Sequence, residues 1–193
     1  MHALKADTFR QFGKFSWWLV LKGFLLDQGF RVLVTMRCCQ KAKRLPPRLR
    51  WLMLTPAKML HRIATRRAGV EFPWHTTVAP GLALTHARGI VINSRTRIGR
   101  NVTLFHGVTL GQRDEVFSDG SRSSSCPVIE DDVWIGPNAI VVGGITIGEG
   151  SRIAGGAFVF RNIPARCLVV GNPGKVVKTN CEPDVENRYR QTP

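Results

Sequence analysis

Two histidines stand out by type and spacing. His86 in "GLALTHARGIVIN" and His106 in "NVTLFHGVTLG" interrupt apolar, small-residue stretches twenty positions apart. An unperturbed imidazole titrates at about pH 6.5, so it can remove a hydroxyl proton at neutral pH and return it later in a reaction. Either histidine is therefore a candidate general base. Either one also fits a plain polar residue at a turn. The elements that position them decide between the two.

Those elements show as a pulse of six. An aliphatic residue recurs at Ile129, Ile135, Val141, Ile147, Ile153 and Val159, and a small or aliphatic residue follows four positions after each, from Val133 to Ile163. A helix needs a period of 3.6 and a simple strand a period of 2, so neither fits. Six is the period of a hexapeptide-repeat β-helix, in which each hexad gives one short strand and one corner, and three hexads close a triangular coil. The pulse also runs earlier through Val78, Leu84, Ile92, Ile98, Leu104 and Leu110, with one step of eight between Leu84 and Ile92. Leu84 to Leu104 covers three faces. His86 and His106 each lie two positions past those leads, so they are predicted on one corner of adjacent coils, one strand spacing of about 4.8 Å apart.

The pulse lapses over residues 111–127, whose Ser, Gly and Asp content predicts a loop thrown out from a coil. The predicted organisation is a basic helical segment at 1–69, a β-helix at 70–178 and a loose polar tail at 179–193. "LPP" at 45–47 separates two helical stretches in the first segment. That segment holds 15 Lys and Arg against Asp7 and Asp27, while the remaining 124 residues hold 13 against 11 acids. Such an excess favours an anionic surface such as phosphate-rich membrane, a lipid-linked phosphate or nucleic acid, or else marks a solvated helix face.

The apolar run 16–36 is interrupted by Lys22, Asp27 and Arg31, which argues against a membrane span. It leaves open a helix at a membrane surface with Trp17 and Trp18 at the interface, or one packed on the body. No signal peptide is recognisable. Cys38, Cys39, Cys126, Cys167 and Cys181 are odd in number and form no C-x-x-C pair, so a reducing, cytoplasmic setting is expected rather than a disulfide framework or structural zinc.

The run from "LTHARGIVIN" through "NVTLFHGVTLG" and "CPVIEDDVWIGPNAIVVGG" to "LVVGNPGKVV" resembles the serine acetyltransferase branch of the hexapeptide acyltransferases, over roughly residues 70–178. The resemblance implies a mainly-β, left-handed parallel β-helix, a homotrimer with active sites between subunits, acetyl-CoA as donor, a hydroxyl acceptor and no metal. By position it places the catalytic base at His86 and its orienting carboxylate at Glu71. Thr85, His106 and Cys126 fall on the acceptor side. Gly111, Gly136, Pro137 and Arg152 fall along coenzyme A.

The departures shape the expected acceptor. The family has Asp before the base where this chain has Thr85, and Arg-His before the proline where it has Ser125-Cys126. A guanidinium is a natural carboxylate clamp. Its loss, with Glu71 and the "CP" after the loop, resembles the colanic-acid-type acetyltransferases. The expectation is O-acetylation of a sugar hydroxyl on an exopolysaccharide or lipid-linked precursor, at the inner membrane face; the alternative is serine O-acetylation. A zinc site from His75, His86 and His106 lacks the close histidine pair it needs. Nucleic-acid binding through "KAKRLPPRLR" has only sparse aromatics nearby and is not expected.

Overall fold

The computed structural model describes residues 2–190. Its first third is entirely helical: α1 (His2–Phe12), α2 (Trp17–Leu26), α3 (Gln28–Lys43) and α4 (Pro47–Ala68). The break at 45–47 is present, with Pro47 opening α4, where its missing N–H costs nothing. Two further breaks divide the stretch that the sequence presents as one. Ser16 caps α2 by accepting the Leu19 N–H at 3.1 Å. Asp27 ends α2 by donating its N–H to Gly23 and starts α3 by accepting the Phe30 N–H at 2.9 Å. One side chain thus turns the apolar run 16–36 into two short helices. Among the described residues no helix is long and apolar enough to cross a membrane.

The β-coil follows. Its first face stacks Thr77–Val78, Arg97–Ile98, Val128–Ile129 and Thr146–Ile147. The second stacks Ala83–Thr85, Thr103–Phe105, Trp134–Ile135, Arg152–Ile153 and Leu168–Val170. The third stacks Val91–Ile92, Thr109–Gly111, Ile140–Val142 and Phe158–Val159. All these pairings are parallel, and only Lys175–Lys178 folds back antiparallel onto the last strand of the second face. The pulse of six is the core. Leu84, Leu104, Ile135, Ile153 and Val169 stand in register down the second face, each almost fully buried. The residues four positions after the leads, Val133, Ala139, Ile145, Ser151, Ala157 and Ile163, are buried as well. Burial of each large aliphatic lead stabilises the coil by about 1.5–3 kcal/mol. The mainly-β reading therefore describes the coil, not the whole chain.

Two expectations change. Residues 111–127 are not an open loop: Arg113–Val116 and Arg122–Ser125 pair as an antiparallel hairpin closed at Asp119–Ser121. Its polar, exposed strands lack the apolar alternation that would have announced them. Nor is the tail loose. Cys181 is buried and its N–H donates to Arg166, Glu182 and Asp184 pair with Arg166 and Arg152, and Arg188 pairs with the buried Asp132. Side chains on the coil hold the tail, which has no periodic signal of its own.

Candidate active site

His86 ends the strand Ala83–Thr85 and opens the long corner between the second and third faces. Its φ of 51° is left-handed, and Gly89 in the same corner has φ 65°. The two extra residues of the eight-residue step are used here, letting the chain turn twice so that the His86 ring is exposed to solvent. One coil on, His106 ends Thr103–Phe105. The rings of His86 and His106 are neighbours, with centroids 6.5 Å apart and planes at 67°. The Nδ1 of His106 is buried and has no hydrogen-bond partner among the described residues.

The corner continues as a backbone ladder. Gly107 donates to the Arg88 carbonyl at 2.7 Å, Asn138 to His106 at 2.9 Å and Gly156 to Pro137 at 2.8 Å. Gly136 and Pro137 therefore lie directly along the column that begins at His86. A Cβ on Gly107 would collide with the Asn138 side chain, so only glycine lets these coils stack so closely.

Other predicted residues lie elsewhere on the coil. Glu71 is exposed on the outer surface of the third face, paired with Val91 one coil along. Its N–H donates to the Ile90 carbonyl at 2.8 Å, which fixes the far end of the His86 corner. No hydrogen bond joins its carboxylate to His86 among the described residues. Gly111 ends the third-face strand Thr109–Gly111, opposite Val142, where the hairpin departs. Cys126 is half-buried where the hairpin returns, and Thr85 is half-buried beside His86. Arg152 stands on the second face over the Trp134 ring and pairs with Asp184 at 2.8 Å. One corner thus gathers Thr85, His86, His106, Gly136 and Pro137. The next holds Gly111 and Cys126, while Glu71 and Arg152 stand on faces.

The structure adds residues that the sequence does not advertise. Asp7 is buried and accepts the N–H groups of Gly81 and Leu82 at 2.8 and 3.1 Å while pairing with Arg37 at 2.7 Å. Burial pushes its carboxyl up, against the pull of Arg37 and those two N–H groups. Arg10 donates to the Gly81 carbonyl and to Thr103 Oγ1 at 3.1 and 2.6 Å. Together they tie α1 to the turn leading into the strand that ends at His86. Beside the hairpin, Gln112, Arg113, Val142, Phe158 and Phe160 line an apolar hollow. Arg113 and Arg161 both stand over the Phe160 ring there. Only the isolated cations were visible in the sequence; the coil brings them to one aromatic ring.

Comparison with known proteins accords with this geometry. A family model described as bacterial transferase hexapeptide (six repeats) matches residues 126–161. The chain is similar to the serine acetyltransferase of Bacillus subtilis (strain 168), 38% identical over 124 residues, which is 64% of this chain and 55% of that protein. It thus spans about half the length of the curated relatives it matches. It also superposes on the Neisseria gonorrhoeae serine acetyltransferase in complex with serine with a TM-score of 0.69 and 31% identity, covering 91% of this chain and 68% of that one. The chain belongs to the hexapeptide-repeat acyltransferases of the serine acetyltransferase type. The soybean serine acetyltransferase apoenzyme gives the same picture, with a TM-score of 0.69, 30% identity and cover of 91% and 67%. As in that family, the coil is a left-handed β-helix behind an N-terminal helical region.

This membership overturns the expected sugar acceptor. The relative and solved neighbours named above are serine acetyltransferases, one of these structures with serine bound, and they point to serine rather than to a polysaccharide. Ser125 and Cys126 are a local change where the hairpin returns to the coil, whereas the likeness to this serine acetyltransferase type runs through the coil and the helices that hold it. A lost clamp alters how an acceptor is held more readily than it alters the reaction.

Proposed function

We propose that the chain is an acetyl-CoA-dependent serine O-acetyltransferase with His86 as general base. The observation that carries this reading is the exposed His86 ring, held in a left-handed corner beside His106. His86 takes the proton of the serine hydroxyl as its oxygen attacks the thioester carbonyl. That attack forms the C–O bond of a tetrahedral species, whose collapse restores the carbonyl and breaks the C–S bond. The proton then returns from the imidazolium to the departing thiolate. Backbone N–H groups near Gly111 are suited to the oxyanion, and transfer is direct, without an acyl-enzyme.

Glu71 is proposed to set the imidazole's tautomer and orientation once the site is assembled. Thr85, His106 and Cys126 line the acceptor side. The donor fits the surface that continues from His86. Gly155 and Gly156 present bare backbone at the column's end, and a Cβ on Gly156 would meet nothing within 4 Å. A pantetheine arm can lie along such a strip past Gly136 and Pro137. The Phe160 hollow with Arg113 and Arg161 offers a stacking ring and cations to an adenine and its phosphates. Arg152 needs to release Asp184 to join them.

His86 and Gly111 lie on different corners, which suits a homotrimer in which one copy's histidine corner faces another copy's hairpin. The test is product identity. Purified protein with acetyl-CoA and L-serine should give O-acetyl-L-serine by mass spectrometry, in amounts matching the thiol released. Thiol release that is unchanged when serine is omitted would refute the assignment.

A further inference from the structure

The helical third carries a surface that the transfer chemistry does not use. On α4, His61, Ala64 and Ala68 are buried. Beside that buried side, Leu49, Leu52 and Met53 in the first half of the helix and Met59, Leu60 and Ile63 in the second share one side, two turns apart, and are 39–68% exposed. The opposite flank carries Arg48, Lys58, Arg62 and Arg66, all exposed. Among the described residues no carboxylate lies within ion-pair distance of these four. The two acids of the helical third are engaged elsewhere, Asp7 with Arg37 and Asp27 at the start of α3. The result is an apolar stripe along a 22-residue helix, bordered by uncompensated positive charge.

Three occupants can be weighed by chemistry. A second copy of α4 would bring its own basic flank against this one, and like charges facing each other are costly. A nucleic acid would satisfy the cations but leave the leucines and methionines in water. An anionic bilayer satisfies both, because the apolar stripe enters the acyl boundary while Arg and Lys stay at the headgroups. We propose that the exposed face of α4 is a docking surface for an anionic lipid bilayer, on which the protein sits peripherally. α2 in the run 16–36 exposes Trp17, Trp18, Leu21, Leu25 and Leu26 as well, so α4 adds to that apolar surface.

The experiment is co-sedimentation of the full chain with vesicles of phosphatidylcholine, with or without phosphatidylglycerol. Binding is expected only to the anionic vesicles and should fall steeply with salt. Leu52→Gln/Leu60→Gln and Arg62→Gln/Arg66→Gln should each weaken it at least about tenfold. Both pairs are exposed and outside the transfer site, so circular dichroism and thiol release in solution should be unchanged. Absence of binding to anionic vesicles would overturn the proposal. So would binding that Leu52→Gln/Leu60→Gln leaves intact, which would mean charge attraction alone. Sedimentation showing a larger assembly that the same pair dissociates would give the face to a second copy.

Discussion

A Cβ built on Gly29 would stand 2.9 Å from the Cβ of Ala87 and 3.0 Å from the carbonyl of Leu84. The start of α3 thus presses directly on the corner that holds His86. Alanine is the better helix former by about 1 kcal/mol, yet here its methyl must displace that corner, an overpacking cost of about 1–3 kcal/mol. Gly29→Ala should therefore lower the melting temperature and depress turnover. Ala87→Gly in the same chain should restore part of both, and a double-mutant cycle measures the coupling. Purely additive effects would show that the two residues do not touch.

His61 should give the fold an acid-sensitive element. Its Nε2 donates to the Phe72 carbonyl at 2.8 Å and its Nδ1 lies 2.9 Å from Thr35 Oγ1. Burial holds its pKa below the usual histidine value. The unfolded chain then binds more protons than the folded one as pH falls, so stability is lost as pH drops through the unfolded value of about 6.5 and levels off below the folded one. Thermal melts from neutral pH to mildly acid pH should show this loss, and His61→Gln should make the profile shallower. An unchanged slope would assign the acid sensitivity to other groups.

The acceptor side offers a gain-of-function test. Ser125→Arg with Cys126→His supplies the guanidinium and imidazole that the family resemblance places before Pro127. The KM for L-serine should fall severalfold, with that for acetyl-CoA unchanged. An unaltered serine KM would mean that another part of the assembled site holds the carboxylate.

The tail should be structural. Arg188 faces Asp132, whose side chain is only 4% exposed, and the Tyr189 N–H donates to Asn101 Oδ1 at 3.1 Å. Removing Arg188 leaves a nearly buried carboxylate without its cation. Arg188→Ala should lower the melting temperature by several degrees while retaining acetyl transfer. Loss of transfer with an unchanged melting temperature would give the tail a catalytic part instead.

How far these features can be read from the sequence follows their periodicity. The leads from Ile98 to Val159 repeat a backbone geometry, so their spacing reveals faces and coils, and even the pairing of His86 with His106. The anchoring of Asp7 to Gly81 and Leu82 has no such signal, because it joins positions more than seventy apart through a single carboxylate. Asp27 reads as a charge interrupting an apolar run, and only its two capping bonds show it to be a helix boundary. The hairpin strands are too polar to betray their pairing. Ser125 and Cys126 mislead differently: a change at two acceptor-side positions suggests a new substrate class, while the scaffold's similarity lies with serine acetyltransferases.

The most direct test of the central claim is thiol release from acetyl-CoA by wild type and His86→Ala, with saturating L-serine and circular dichroism to verify folding. The expected result is serine-dependent release by wild type and a loss of at least about a hundredfold in kcat for His86→Ala, with the fold intact. Comparable rates for the two proteins would contradict the assignment of His86 as the base.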